Sequence, residues 1–419
     1  MARLAYSLLL YVLTPFIWLR LLWRARRQPA YLAHLAERYG VYALPAPAKL
    51  IWVHAVSVGE TRAAQPLLEG LQARWPDHRL LLTCMTPTGR DAGASAYGDK
   101  VIQAYLPYDY PGAVHRFLRH FSPAFGVLME TEVWPNLLAA AQRRGVPVML
   151  ANARLSARSA RGYGRVGALA RPAFAALAGV AAQTAADATR IAGLGAPRIE
   201  VCGNLKFDVT PAPDKLAQGL AWREALGDRR VWLAASTREG EEEAVLEAWR
   251  RLALPDALLV LVPRHPQRFD EVAALLRRQG IRSNRRSDGL PTAGTEVWLG
   301  DSMGEMAAYY ALADVAFVGG SLLPLGGQNL IEAAACGCPV LVGPHTFNFQ
   351  QATEDAIAAG AALRVADASA LGAALGRLLR GSEERLVMRE AALGFAAAHR
   401  GAAGRTLAAI AAMLGQRAG

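Results

Sequence analysis

Residues 319–344 read GGSLLPLGGQNLIEAAACGCPVLVGP, and this stretch decides how the chain is read. An apolar run, Val315-Ala316-Phe317-Val318, stops at Gly319-Gly320-Ser321. A second glycine pair, Gly326-Gly327, opens into Gln328-Asn329-Leu330-Ile331-Glu332-Ala333-Ala334-Ala335, a segment of helix-forming composition. Cys336-Gly337-Cys338-Pro339 ends it, and the apolar Val340-Leu341-Val342 follows. The order is strand, glycine loop, helix, strand. Such a loop lets backbone approach a ligand closely, and the helix start offers free N–H groups to an anion. Glu332 falls in the first turns, where it can hold a sugar hydroxyl or ribose. The whole arrangement is typical of nucleotide-sugar sites, whereas the glycines alone fit a plain β-α unit equally well.

Working outward, the 419 residues are enough for about two or three domains. With 53% hydrophobic residues the chain can bury large cores. Its cysteines (Cys84, Cys202, Cys336, Cys338) are too scattered for a disulfide framework, and Cys336-Gly-Cys338 does not match the usual zinc pairs. A reducing compartment fits. The net charge of +11 and pI near 9.8 imply an anionic partner: nucleic acid, anionic lipid or a phosphorylated substrate.

The N-terminus narrows that choice. No charged residue occurs from Leu4 to Leu19, and apolar character continues through Leu21-Leu22-Trp23. The run is about 20 residues, near the minimum for crossing a bilayer, and is interrupted by Arg20 and a Thr14-Pro15 step. Arg24, Arg26 and Arg27 come immediately after it, which is the wrong side for a signal peptide. The positive-inside rule then keeps the remainder of the chain cytoplasmic, and Tyr6, Tyr11, Trp18 and Trp23 suit an interfacial belt. A helix buried in the protein's own core is the competing reading.

Beyond this anchor the pattern is repetitive α/β. Apolar, β-rich runs occupy 50–56, 79–84, 101–106, 125–129, 146–151, 180–183 and 199–202, with helical periodicity at 61–75, 111–121 and 135–144. Prolines in 206–214 break the rhythm, which restarts with runs at 231–235, 258–262, 297–299, 315–318 and 340–342. The expected organisation is an anchor helix (1–28), a Rossmann-like domain (29–205), a linker (206–217) and a second Rossmann-like domain with terminal helices (218–419). Alternating strands and helices imply parallel sheets covered on both faces, with two domains facing one another across a cleft and ligands beyond the strands' carboxyl ends.

Chemistry-bearing residues follow those strands. Ser57-Val58-Gly59-Glu60 comes after the first run, Glu130-Thr131-Glu132 after the fourth, and Asn152-Ala153-Arg154 after the fifth. In the second half the strand ends carry Ser236-Thr237-Arg238, Pro263-Arg264-His265-Pro266 and Gly300-Asp301-Ser302-Met303-Gly304-Glu305-Met306. Each also has a bland reading. Ser57/Glu60 and Ser302/Glu305 fit the S-x-x-E capping box, Glu130 and Glu132 fit a helix-start acid cluster, and Arg264-His265 fits a solvated turn.

Taken together, VHAVSVGE (53–60), METEVWPN (129–136), NARLS (152–156), GNLKFD (203–208), PRHP (263–266), GDSMGEM (300–306) and residues 319–349 resemble the Kdo transferases. Those enzymes attach 3-deoxy-D-manno-octulosonic acid (Kdo) to the lipid A precursor of Gram-negative bacteria. The motifs run in the family's order over nearly the whole chain, with one departure: Gln328 stands where His is often found.

The resemblance implies a GT-B glycosyltransferase with an N-terminal acceptor domain and a C-terminal donor domain. It implies CMP-Kdo as donor, lipid A precursor (lipid IVA) as acceptor, inverting transfer with Glu60 as base, and a place on the cytoplasmic face of the inner membrane. Donor contacts are then expected from Ser236, Thr237, Arg264, His265, Met303, Gly304, Glu305, Met306, Ser321, Gln328, Asn329 and Glu332. Glu130, Arg154 and Lys206 are expected toward the acceptor or sugar, with Arg62, Arg90, Arg158 and Arg161 as further candidates for acceptor phosphates. No D-x-D motif or His/Cys cluster occurs, so metal-free transfer without a cofactor is expected.

Other readings are a UDP-sugar GT-B enzyme acting on a lipid-linked acceptor, and a non-catalytic membrane-anchored nucleotide-binding scaffold. A Rossmann dehydrogenase is disfavoured because no G-x-G-x-x-G follows the first strand of either half, and nucleic-acid binding because no aromatic-basic platform occurs.

Overall fold

A computed structural model describes the chain apart from Arg27, Ala253, Pro255 and residues 416–419. The basic cluster expected after the anchor therefore has Arg27 outside the described residues. The chain divides into two compact units, Met1–Val209 with Arg400–Gly419, and Thr210–His399.

The first unit is built on a seven-stranded sheet: β1 (Leu50–His54), β2 (Arg79–Cys84), β3 (Val101–Tyr105), β4 (Phe125–Met129), β5 (Val148–Ala153), β6 (Gly179–Ala182) and β7 (Ile199–Val201). Its order is β3-β2-β1-β4-β5-β6-β7, parallel throughout. Successive residues of β1 are apolar on both faces because both faces are covered. Leu50 and Trp52 pack with Phe117, Phe121 and Phe174 on one side. Ile51 and Val53 pack with Leu67 and Leu71 on the other.

That second face is completed by the helix Ala402–Gly415, which buries Ile410 and Met413 there. The sequence reading carried the second domain to 419, so this helix is a difference. An apolar stripe on a terminal helix does not say which sheet it will cover. The helix expected over 61–75 is broken into Val58–Ala63 and Gln65–Arg74, with Pro66 in the first turn of the second piece, where a missing N–H costs nothing.

The second unit contains β8 (Val231–Thr237), β9 (Leu258–Pro263), β10 (Ser283–Arg285), β11 (Val297–Leu299), β12 (Val315–Val318), β13 (Val340–Val342) and β14 (Ala362–Arg364), ordered β10-β11-β9-β8-β12-β13-β14 and parallel. The edge strands β10 and β14 carry no signal in the sequence. Ser-Asn-Arg is polar, and Ala362–Arg364 lies in an Ala-rich region.

In both sheets the strand order reverses beside the first strand, between β1 and β4 and between β8 and β12. That is where open α/β sheets bind ligands. In the second unit the crossing is tight: a Cβ on Gly319 would lie 2.7 Å from Ser236 O and from Thr237 Cα. Gly320 follows at φ 70°. We expect Gly319→Ala to cost about 1–3 kcal/mol by overpacking, visible as a lowered thermal unfolding midpoint.

Candidate active site

In the first unit, the helix Val58–Ala63 begins four residues after β1 and carries Glu60 at the reversal point. Its carboxylate folds back, accepting from Val56 N–H at 2.9 Å and from the Ser57 hydroxyl at 3.2 Å. Ser57 makes no side-chain cap to the helix N–H groups, so the capping box is one-sided. Burial pushes Glu60 up from the usual carboxylate range to about 7, and the negative charges of Glu130 and Glu132 push the same way. The Val56 and Ser57 bonds oppose that rise without cancelling it. His54, at the end of β1, is fully buried, and burial drives its pKa down to about 3, so it is neutral and no alternative base.

Glu130 follows β4 with φ 58°, a conformation that non-glycine residues seldom adopt. Its carboxylate pairs with Lys206 Nζ at 2.9 Å. Lys206 rides on the turn Leu205–Phe207, and Asn152 holds that turn by accepting from Leu205 N–H at 3.0 Å. Asn152 is itself buried at the end of β5, with φ 52°. Glu60, Glu130 and Lys206 are thus brought together, and Asn152 holds the Lys206 turn, a contact that no sequence signal marks. Arg154 is half-buried at the same edge and lines a small pocket with Glu130, Val133, Leu155 and Tyr163. Glu132 accepts from the Trp134 indole N–H at 2.8 Å, and burial raises its pKa as well.

In the second unit, Ser236 takes φ 57° where the β8–β9 register shifts. Arg264 N–H donates to Thr237 O at 2.9 Å, and Arg264 Nε donates to Gln328 Oε1 at 3.2 Å, which joins the β9 end to the glycine loop. The exposed His265 is held below its ordinary pKa by desolvation and by the charges of Arg264, Arg238 and Arg268. Three guanidinium groups therefore act on one small region of the strand ends, an arrangement suited to an anion. Met303 is exposed and Gly304 has φ 82°. Glu305 is buried enough to raise its pKa, yet hydrogen bonds from Ser302 and Gln218 and the charge of Arg286 bring it below the usual range. It is itself the residue preceding the helix Met306–Leu312, so Ser302 and Glu305 are not a capping box.

Several expected donor residues are engaged by the protein itself. Ser321 is fully buried, donating to Val318 O and accepting from Gly343 N–H at 2.8 Å, so its hydroxyl braces the glycine loop. Thr237 is likewise buried and donates to Glu242 Oε1 at 2.9 Å. The helix expected from Gln328 begins only at Ile331 and spans five residues. Asn329 accepts from Ile331 N–H at 3.1 Å and starts it, and Glu332 is half-buried at its second position.

The sequence also missed two buried carboxylates. Glu241 accepts from the N–H groups of Arg238, Gly320 and Leu322, tying the end of β8 to the loop after β12. Glu242 pairs with Arg268 at 2.6 Å. In sequence, Glu241-Glu242-Glu243 reads only as acids favoured at a helix start.

A family model described as 3-deoxy-D-manno-octulosonic-acid transferase matches residues 33–209. The chain is 51% identical to the 3-deoxy-D-manno-octulosonic acid transferase of Bordetella pertussis, with 99% of this chain and 100% of that one covered. It is 40% identical to the Haemophilus influenzae transferase of the same name, covering 97% of each. The chain belongs to the Kdo transferase family. It is a glycosyltransferase of Kdo transfer in lipopolysaccharide biosynthesis. Among solved structures, UDP-GlcNAc 2-epimerase from Neisseria meningitidis bound to UDP-GlcNAc aligns with TM-score 0.60 at 15% identity, covering 86% of this chain and 99% of that one. A glycosyltransferase from Rickettsia africae aligns with TM-score 0.60 at 13% identity, over 89% and 99%. These two share the GT-B type fold.

For this Kdo transferase, a Glu60 that accepts a proton in the reaction predicts a kcat/KM that rises with pH through about 7, read from a pH–rate profile. Replacing Glu130 with Gln removes a negative charge that raises Glu60, so the rising limb should move to lower pH in a pH–rate profile. Asn152→Ala should lower kcat while leaving donor KM within about twofold, because it acts on the Lys206 turn rather than on the nucleotide; steady-state kinetics separate the two.

Proposed function

We propose that this enzyme transfers Kdo from CMP-Kdo to the lipid A precursor lipid IVA with inversion, Glu60 being the general base. The observation that carries this reading is a half-buried carboxylate whose pKa is pushed to about 7 at the strand-order reversal of the first unit. The acceptor hydroxyl gives its proton to Glu60 and attacks the anomeric carbon of Kdo, and the bond to CMP breaks on the opposite face. Glu130, fixed by Lys206, orients acceptor or sugar groups. The cytidylate phosphate is received by Arg264 and Arg238 with Gln328, and Glu332 holds the ribose. Charge-assisted bonds to the departing phosphate favour the transition state most, because that group gains charge as it leaves.

The helix Ala2–Ala25 is long and apolar enough to cross a membrane. It is docked on the first unit along its length: Ser7 meets Asn136, Thr14 meets Tyr110 at 2.7 Å, and Trp18 stacks on Tyr39. The opposite side leaves Leu4, Val12, Phe16 and Leu19 at 63–69% exposure. A helix held sideways in this way supports an in-plane position in the interface of the inner membrane's cytoplasmic leaflet, where an anionic lipid acceptor lies.

The test combines purified enzyme, a Kdo-activating system, CTP and tetraacyl lipid A precursor, read by mass spectrometry of the lipid. Wild type should add Kdo, and Glu60→Gln should fall by about 10²–10⁴-fold. Full activity in Glu60→Gln would remove Glu60 from the chemistry, and turnover with UDP-sugars alone would move the donor assignment. Arg264→Ala should raise the KM for CMP-Kdo by about 10- to 100-fold, the scale of a lost hydrogen bond to a charged group.

A further inference from the structure

The helix Ala157–Arg165 takes no part in the mechanism above, and its chemistry is one-sided. It is docked through Ala160 and Tyr163, which pack on the core of the first unit, with Tyr163 edge-on to Phe174 at 5.3 Å between ring centroids. Arg158, Arg161 and Arg165 fall at helical spacings of three and four, so they share one face. All three are exposed, as is Arg171 on the next helix, Gly167–Ala175. From Val133 to Ala186 the sequence holds no Asp or Glu, and among the described residues none of these four arginines is seen in an ion pair. Like charges at such spacings repel, so the folded helix keeps a face that an external anion would relieve.

The position of that face says which anion. The helix Gly167–Ala175 packs against both the Arg-rich helix and the apolar N-terminal helix Ala2–Ala25. Folding therefore sets the helix of Arg171 against the helix whose apolar side faces outward, with the Arg-rich helix packed on it as well. An apolar helix face with exposed cations on the helices packed behind it matches a bilayer, whose hydrocarbon is bordered by phosphate.

We infer that Arg158, Arg161, Arg165 and Arg171 form a basic collar that binds the anionic lipid headgroups of the membrane receiving the N-terminal helix. This rests on the membrane reading of that helix and not on the identity of the sugar donor. The collar adds electrostatic attraction to apolar insertion, a second anchoring signal where one is marginal.

The test is vesicle flotation of the full chain, without donor or acceptor, on phosphatidylcholine vesicles and on phosphatidylcholine with phosphatidylglycerol. Wild type should favour the anionic vesicles, and added salt should reduce that preference. The triple variant Arg158→Gln/Arg161→Gln/Arg165→Gln should lose about tenfold or more on anionic vesicles, at roughly fivefold per arginine near the surface. Its partition on neutral vesicles should not change. The corresponding triple Lys variant should retain wild-type partition, which separates charge from any structural effect of the substitutions. Equal binding of wild type and the Gln variant to anionic vesicles overturns the collar while leaving the anchor intact. Unchanged vesicle binding with a raised KM for the phosphorylated acceptor in detergent overturns it too, and assigns the arginines to substrate. Absence of wild-type binding to either vesicle removes the anchor and the collar together.

Discussion

Everything at the candidate site depends on the reversal of strand order in a parallel sheet. With helices on both faces, β1 and β8 are apolar on both sides and have no side-chain surface left for chemistry. Only their carboxyl ends are open, and the chain leaves β1 and β4, or β8 and β12, in opposite directions there. Glu60 and Glu130 occupy one such point, and Ser236 with the loop from Gly319 occupies the other. Glu130 takes a left-handed backbone directly after β4, and Asn152 and Ser236 take it near the ends of β5 and β8, where the pairing register shifts. Strain held at strand ends is a common mark of a site whose geometry is fixed by its surroundings.

The electrostatics follow from that geometry. A carboxylate at such an edge is partly shielded from water, which disfavours its charge, and a second carboxylate nearby disfavours it further. Glu60 has both, with just two hydrogen bonds to offset them, and so remains near neutrality of pKa. Glu305 is less deeply shielded and meets the Ser302 hydroxyl, the Gln218 amide and the Arg286 guanidinium, and its pKa falls instead. The difference between the two glutamates lies in burial, donors and neighbouring charge, not in residue type. The same distinction separates Gln328, which meets Arg264, from Ser321, whose hydroxyl is consumed inside the loop.

Much of the fold was legible because both sheets are buried. Continuous apolar runs bounded by turn residues mark β2, β4, β11, β12 and β13 at their observed limits. The polar edge strand β10 escaped because an edge need not be apolar, and the break at Ala64 escaped because helical periodicity runs through it. Site residues at strand ends were legible as chemistry after a strand. Glu241, Glu242 and Asn152 were not, since their importance lies in which distant N–H or cation they meet.

The sequence by itself determined the α/β architecture, the apolar N-terminal helix, the family and the strand-end location of Glu60, Glu130 and Arg264. Local periodicity and motif order record these directly. Only the tertiary structure decided that Ala402–Gly415 returns to the first sheet, that Lys206 neutralises Glu130, and that the helix carrying Arg171 packs on both the Arg-rich helix and the anchor. Those are pairings between residues far apart in the chain, and an apolar stripe or a charge carries no record of its partner until packing selects one.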